Sequence, residues 1–471
     1  MTYEWTLVVD LGVIAGALAL ATLIRAKVKF FQKYLIPNAL TAGFFLLVFY
    51  NLVAPILGLG TENLGSLVFH LLNISFISMS LKEGSMKGAG KRIFSTAISV
   101  VSHYAIQVAI GLGITALFII SIKPDLFLNF GFFLALGYGL GPGQSFAIGK
   151  AWEPSGFANA GNIGLIFAAV GYIWGCIGGV WLINLGRKRG WVDSDTHIAI
   201  EAKSMRTGVF GRNEKGPVGA HLRTDTEAID SMSFHLLLVF AVYLIAYLVL
   251  KAFTWPLLTY MGSMGKQLSD TFWGISFVFA AVIGMLVKSL MKALKLEHLL
   301  DEGSFNRIAG GSVDFMLAAA VGAISLVVVS QYWLPIAVVA IVGGVVTTFT
   351  CLWMASRLFD DHQFSRALML YGNMTGTLST GLALLRVVDP EFKTPVASDY
   401  VYSNGITFAL AIPMILLINL PIRWYTTGEK IWLWITIAGF ALYLGLSILA
   451  YALLAGKKAF AKAGKAWYKA D

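Results

Sequence analysis

Gly137, Gly139, Gly141 and Gly143 occupy alternate positions inside an apolar stretch, with Pro142 between the last two. A helix interior loses stability with each glycine and cannot take proline without a break, so the chain must leave helical geometry here. A broken backbone bares N–H and C=O groups that hydrocarbon cannot satisfy. At membrane depth the segment Gly137 to Asn162 therefore persists only where protein or a watery cavity surrounds it, which is the setting of a solute site.

Composition places the flanking sequence in a membrane. With 57% hydrophobic and 13% charged residues and a mean hydropathy of +0.75, the 471-residue chain lacks the polar surface that would cover a soluble core. The expected class is an all-α polytopic membrane protein in the cell (inner) membrane. Met1 to Trp5 carry Glu4 and no Lys or Arg, which reads as the approach to a retained first helix and not as a basic leader. The formal charge of +10 sits in short clusters between apolar runs, so nucleic acid is not an expected partner. Cys176 and Cys351 lie within uncharged runs, and no disulfide or metal framework is expected.

Runs long enough to cross ~30 Å of hydrocarbon fall at 5–24, 34–57, 63–81, 93–122 and 157–186, and again at 231–250, 271–287, 308–330, 333–356 and 399–422. A Gly-rich stretch, 126–150, interrupts the first set and a second odd segment, 366–386, the other. If each is a re-entrant hairpin that leaves on the side it entered, each half crosses five times, and the second half is inverted relative to the first. With the N-terminus outside, the segments 25–33, 82–92, 187–230, 288–307, 357–366, 386–393 and the tail from 457 are cytoplasmic. They hold 29 of the 35 Lys and Arg, in the sense of the positive-inside rule.

The expected domains are thus a first repeat over 1–186, a cytoplasmic, partly disordered linker over 187–230, a second, inverted repeat over 231–425, and an extra transmembrane helix with a basic cytoplasmic tail over 426–471. The tail would lie against the anionic inner leaflet. The halves also match in detail. Gly139 and Gly143 are spaced like Gly372 and Gly376, Glu153-Pro154 and Asp389-Pro390 follow the hairpins, and Asn162 and Asn404 precede similar Gly-x-x-Phe-Ala segments.

Several of these stretches resemble the sodium:glutamate symporter family. The segment 156–179 is similar to a helix of that family, Gly141 to Gly149 resembles its first Gly-rich loop, and further matches occur at Lys33-Tyr34, Ile36-Pro37, Gly376 to Thr380, Phe408 and Pro413-Met414. The resemblance spans about 30 to 425. It implies a homodimeric secondary transporter with inverted repeats, whose two re-entrant loops meet near the midplane, and sodium-coupled uptake of glutamate or a related acidic amino acid. Pro142 and Gln144 stand where the family's loop carries histidine and threonine, and the extra helix departs from the family's ten, so another carboxylate or amino acid, moved with sodium or protons, remains open as the solute.

A half-helix that begins at a hairpin tip offers free N–H groups and a partial positive charge of ~0.5 e, which suits a carboxylate. The candidate solute-binding residues are Gly141, Gly143, Gln144 and Ser145 in the first hairpin, with Ser145 also a candidate cap. In the second they are Asn373, Thr375, Gly376, Thr377, Ser379 and Thr380, whose hydroxyls, amides and loosened carbonyls suit sodium as well. Asn73, Asn162, Asn404 and the intramembrane Asp314 are the candidate ion ligands. Asp10 is expected at a dimer interface or near water, and His70, His103 and His235 as packing residues. No cofactor is expected beyond the coupling ion. Membrane runs without HExxH or GxSxG argue against an enzyme, and two polar hairpins argue for a carrier over a channel.

Overall fold

The computed structural model describes residues 5–34, 36–82, 90–191, 206–214, 216, 218–389 and 394–468. Among them there are helices and no strand. In chain order these are α1 (Thr6–Lys27), α2 (Lys29–Lys33), α3 (Asn38–Val48, continued by looser turns to Leu57), α4 (Glu62–Leu81), α5 (Gly90–Ser121), α6 (Pro142–Trp152) and α7 (Ala160–Lys188). The second half has α8 (Ser231–Tyr260), α9 (Gly262–Gly274), α10 (Ser276–Ala293), α11 (Glu302–Gly322), α12 (Leu326–Leu358), α13 (Gln363–Thr375), α14 (Leu378–Val388), α15 (Val396–Leu417), α16 (Leu420–Thr427) and α17 (Ile431–Ala455).

Ten helices among the described residues are long and apolar enough to cross a membrane, so the chain is a multi-pass membrane protein. The expected span over 308–330 is not among these ten. The run 308–330 is split, because α11 ends at Gly322 and α12 starts at Leu326. Asn51 and Asn162 satisfy the backbone exposed by that break. Asn51 donates to Ile324 O and accepts from Leu326 N, and Asn162 Oδ1 accepts from Ser325 N at 3.1 Å.

The helices α4 and α11 pack antiparallel. A Cβ at Gly322 would meet Leu64, and one at Gly143 would meet both Leu72 and Met316. Around this pair the small residues recur in register. Gly43 of α3 abuts Val321 of α11, Gly284 of α10 abuts Ser80 of α4, and the chain offset that carries Gly43 to Gly284 also carries Ser80 to Val321. Each glycine lets two backbones approach where a larger residue would hold them apart.

The basic ends of the helices gather on one face. Lys288 Nζ donates to Lys82 O, and Arg92 pairs with Asp399. Fully buried Arg357 donates to the carbonyls of Ala461, Lys462 and Lys465, pinning the C-terminal tail beneath α12. In the linker, 192–205, 215 and 217 lie outside the described residues, as do Pro390 and the tail from 469. Arg223, still within the linker, reaches to 3.9 Å from Asp301.

Asp10 is 1% exposed and faces neither an interface nor water. Tyr50 and Asn63 both donate to its carboxylate, which ties α1 to α3 and α4. His103 and His235 are fully buried packing residues, whereas His70 is exposed, with Nδ1 2.7 Å from the Tyr243 hydroxyl. His103 Nδ1 lies 2.7 Å from Ser99 O, and His235 accepts from Asp301 N through Nε2. Both cysteines are buried and free.

Candidate functional site

Each glycine-rich stretch forms two short helical segments that double back. The first runs Leu128–Leu140 and then α6; the second is α13 and then α14. At 13 and 11 residues in each case, the arms span about 20 and 16 Å and are too short to cross hydrocarbon singly. Folding back is evident from contacts between arms. Trp152, at the far end of α6, has its ring 5.4 Å from that of Phe133. In the second hairpin a Cβ at Gly372 would stand 2.6 Å from the Gly381 Cα.

The bases lie at opposite ends of α15. Trp152 Nε1 donates to Asn419 Oδ1 at 2.7 Å just past the end of that helix, and the Tyr425 hydroxyl accepts from Leu128 N. At the other end, buried Arg366 of α13 pairs with Asp399 of α15 at 2.8 Å. After each hairpin an acidic side chain receives the chain that follows: Glu153 accepts from Gly161 N, and Asp389 from Thr394 N. These are the acidic residues that the sequence comparison of the two halves pairs.

The first break sits two residues before Gly143, where glycine spacing puts it, while the second falls at Gly376 as that spacing expects. The first is at Gly141, with φ +96° and ψ −178°, a conformation that a residue with a Cβ rarely adopts. Helix α6 begins at Pro142, where a missing N–H costs nothing. Gly143 lies inside its first turn, against Leu72 and Met316, and is not the point of interruption. The second break spans Gly376 and Thr377, so Gly141, and not Gly143, is the structural counterpart of Gly376.

The two breaks meet. A Cβ placed on Gly141 would stand 3.1 Å from the Thr377 Cγ2 and 3.7 Å from Gly376 O. The N-termini of α6 and α14 therefore face the same junction, each with first-turn N–H groups that no helical carbonyl satisfies. Two positive helix ends at this range repel, and an anion between them would relieve both. The C-terminal ends of the preceding arms bring carbonyls to the same place, and Gln107 Nε2 donates to one of them, Met374 O, at 2.9 Å.

The polar side chains sort into held and unheld groups. Ser145 is held: its hydroxyl lies within 3.1 Å of the carbonyls of Gly141, Pro142 and Gly164, so it ties α6 to α7 and does not cap α6, whose N-cap is Gly141. Thr375 Oγ1 donates to Tyr371 O, and Thr377 Oγ1 accepts from the Tyr172 hydroxyl at 3.2 Å. Gln144 is only 7% exposed, its Oε1 lies 3.8 Å from where a Gly141 Cβ would be, and its amide has no hydrogen-bond partner among the described residues. Thr380 Oγ1 and Gln107 Oε1 are buried without partners there. Asn373 is half-buried, and the Ser379 side chain lies outside the described residues.

Of the candidate ion ligands, Asp314 sits midway along α11, not at a helix end, exposed and within electrostatic reach of Tyr172. Asn73 is fully buried on α4 with Oδ1 unpartnered, and the offset that relates Gly43 to Gly284 relates Asn73 to Asp314. Asn404 is half-buried on α15, and Asn162 spends its carbonyl on Ser325. Sequence reasoning missed Gln107, Tyr172 and the Arg366–Asp399 pair. A polar side chain in the uncharged run 93–122 was the available signal for Gln107; nothing in the sequence marks Tyr172. No three His, Cys, Asp or Glu side chains among the described residues group as a metal site. Compared with protein-family models, curated proteins and solved structures, the chain matches none.

Proposed function

We propose that the protein is a secondary active transporter in which two re-entrant hairpins, contributed by inverted five-helix repeats, enter from opposite faces and hold a solute where their tips meet. The observation that carries this reading is the convergence of two helix N-termini on the Gly141–Thr377 junction, supported by the unpartnered Gln144 amide beside it. Equal arm lengths, hairpin bases at opposite ends of α15 and the shared offset across α4 and α11 support the inverted repeat. The extra helix α17 follows the second repeat.

The solute is an anion or zwitterion bearing a carboxylate, glutamate or a related acidic amino acid, with sodium as the coupling ion, in a homodimer seated in the cell membrane with the N-terminus outside and the C-terminus cytoplasmic. Helix N-termini supply positive potential for the carboxylate, while loosened carbonyls at Met374 to Gly376 and the hydroxyls of Thr377 and Thr380 supply the oxygen ligands that sodium requires. Pro142 and Gln144 put one amide, which both donates and accepts, where the family resemblance implies an imidazole and a hydroxyl, so the solute groups paired at this tip differ from those of a family member.

Proteoliposomes with an inward sodium gradient should accumulate radiolabelled glutamate or aspartate. Equal uptake with potassium in place of sodium removes the coupling ion from the reading. Absence of uptake for a panel of carboxylates and amino acids under sodium, potassium and proton gradients removes the transport reading.

A further inference from the structure

Helices α7 and α12 leave a furrow of about 860 Å³ between them, walled inwardly by Tyr371 of α13 and closed at one end by the tail residues 464–467. Its long walls are Trp174 and Trp181 of α7 and Val345 and Phe349 of α12, the last three exposed although they lie within membrane-crossing helices. From Trp174 to Arg189 the α7 wall is about 22 Å long, more than the ~15 Å that one leaflet contributes to the hydrocarbon. The tail end is different in kind. Arg189 and Lys465 line it, both exposed, neither side chain paired among the described residues, and the furrow has no Asp or Glu.

This end is also built. Arg357 holds the Lys465 carbonyl at 3.0 Å, and Trp467 stacks on Trp191 with ring centroids 4.7 Å apart. Indole pairs sit at the headgroup level of membranes, with one side apolar and the other wet. An apolar trough of acyl-chain length that ends in two unpaired cations on the basic face of the protein complements one class of molecule.

We infer that this furrow binds an acidic phospholipid, its acyl chain along Trp174, Trp181, Val345 and Phe349 and its headgroup phosphate between Arg189 and Lys465. A zwitterionic lipid carries its own cation into the same place and fits less well. Because Tyr371 forms the inner wall and its hydroxyl donates to Trp174 O at 2.7 Å, the bound chain would lie directly against the second hairpin. The site is independent of which solute the protein moves.

The test is native mass spectrometry of the full-length chain, delipidated in detergent and titrated with phosphatidylglycerol or phosphatidylcholine of equal chain length. One phosphatidylglycerol per chain should be retained, with phosphatidylcholine held at least about tenfold more weakly. Arg189→Gln with Lys465→Gln should weaken phosphatidylglycerol about tenfold or more, as two basic groups near an anionic headgroup would predict. Val345→Trp, which fills the trough from an exposed position, should abolish retention while leaving the lipid-free thermal midpoint unchanged. Equal retention of the two lipids, or retention untouched by the double substitution, overturns the proposal. A Val345→Trp chain that changes its oligomeric state by light scattering, with no lipid retained by the parent, assigns the furrow to a second copy and also overturns it.

Discussion

Gly141 and Thr377, one from each half of the chain, touch at the tips of the two hairpins, with 3.1 Å between the Thr377 methyl and the place a Gly141 Cβ would take. The φ of +96° calls for glycine, and the Thr377 methyl would have to give way by a few tenths of an ångström to a Cβ there. Gly141→Ala should therefore cost about 1–3 kcal/mol in unfolding free energy and most of the uptake activity. Gly12→Ala, with open space around it, should cost neither. Full stability and uptake in Gly141→Ala would remove the need for close tips.

Gln144 makes no hydrogen bond that its loss could break, so Gln144→Leu should leave the thermal midpoint within a degree or two of the parent. Solute affinity should fall by the amount an unmet polar group costs, about 1–3 kcal/mol, or roughly fivefold to 150-fold in Kd. Gln144→Thr should instead reorder preference among carboxylates. An unchanged Kd and order for both variants would place Gln144 outside the solute site.

Because the hairpin bases lie at opposite ends of α15, the two tips should be approached from opposite faces. Single cysteines at Gln144 and Asn373, in a chain with Cys176 and Cys351 replaced, should react with an impermeant thiol reagent from outside and from inside respectively. Saturating solute should slow both reactions. Labelling of both from one face would end the inverted-repeat reading.

Arg366 and Asp399 are 1% and 2% exposed and pair at 2.8 Å, with Arg92 on the same carboxylate oxygen. Asp399→Asn takes one of two carboxylates from the buried Arg366 guanidinium, which keeps Asp361 at 3.1 Å, and should destabilise by less than the ~3–5 kcal/mol of a wholly unpaired buried charge. Arg366→Met with Asp399→Leu should recover most of that loss in denaturant titrations. A double variant as unstable as the single one would show that the pair is not what fixes the hairpin base.

Asp361, in the turn between α12 and α13, is held below the ordinary carboxylate range. Burial pushes its pKa up, but paired hydrogen bonds from Arg366 at 3.1 Å and that residue's charge outweigh burial. A depressed carboxylate contributes stability that is complete above its unfolded value near ~3.9 and is lost as pH falls through the folded value. The thermal midpoint should thus decline below about pH 4, and Asp361→Asn should flatten that part of the profile. An identical decline in Asp361→Asn would assign the acid sensitivity to other carboxylates.

The sequence by itself determined the solvent, the elements and the places where helices fail. Uncharged runs near 20 residues can exist only in hydrocarbon, and glycine and proline break helices whatever surrounds them, so the ten apolar helices and both interruptions are legible residue by residue. The acidic residues after each hairpin were legible as a matching Glu-Pro and Asp-Pro, but that each accepts an N–H of the returning chain was not. Nor was register. Four glycines at alternate positions are equivalent until neighbours choose among them, and it is Thr377 and the packing of Phe167, Tyr104 and Leu72 that put the break at Gly141 and make Gly137, Gly139 and Gly143 contact points. Asp10 and Ser145 could have faced water or solute as far as composition shows. Only the arrival of Tyr50 and Asn63 at one, and of the Gly164 carbonyl at the other, decided that both are used inside the protein. Hydrogen-bond partners from distant segments are a property of the packed molecule, because a polar group in a dry interior takes whichever partner the fold delivers.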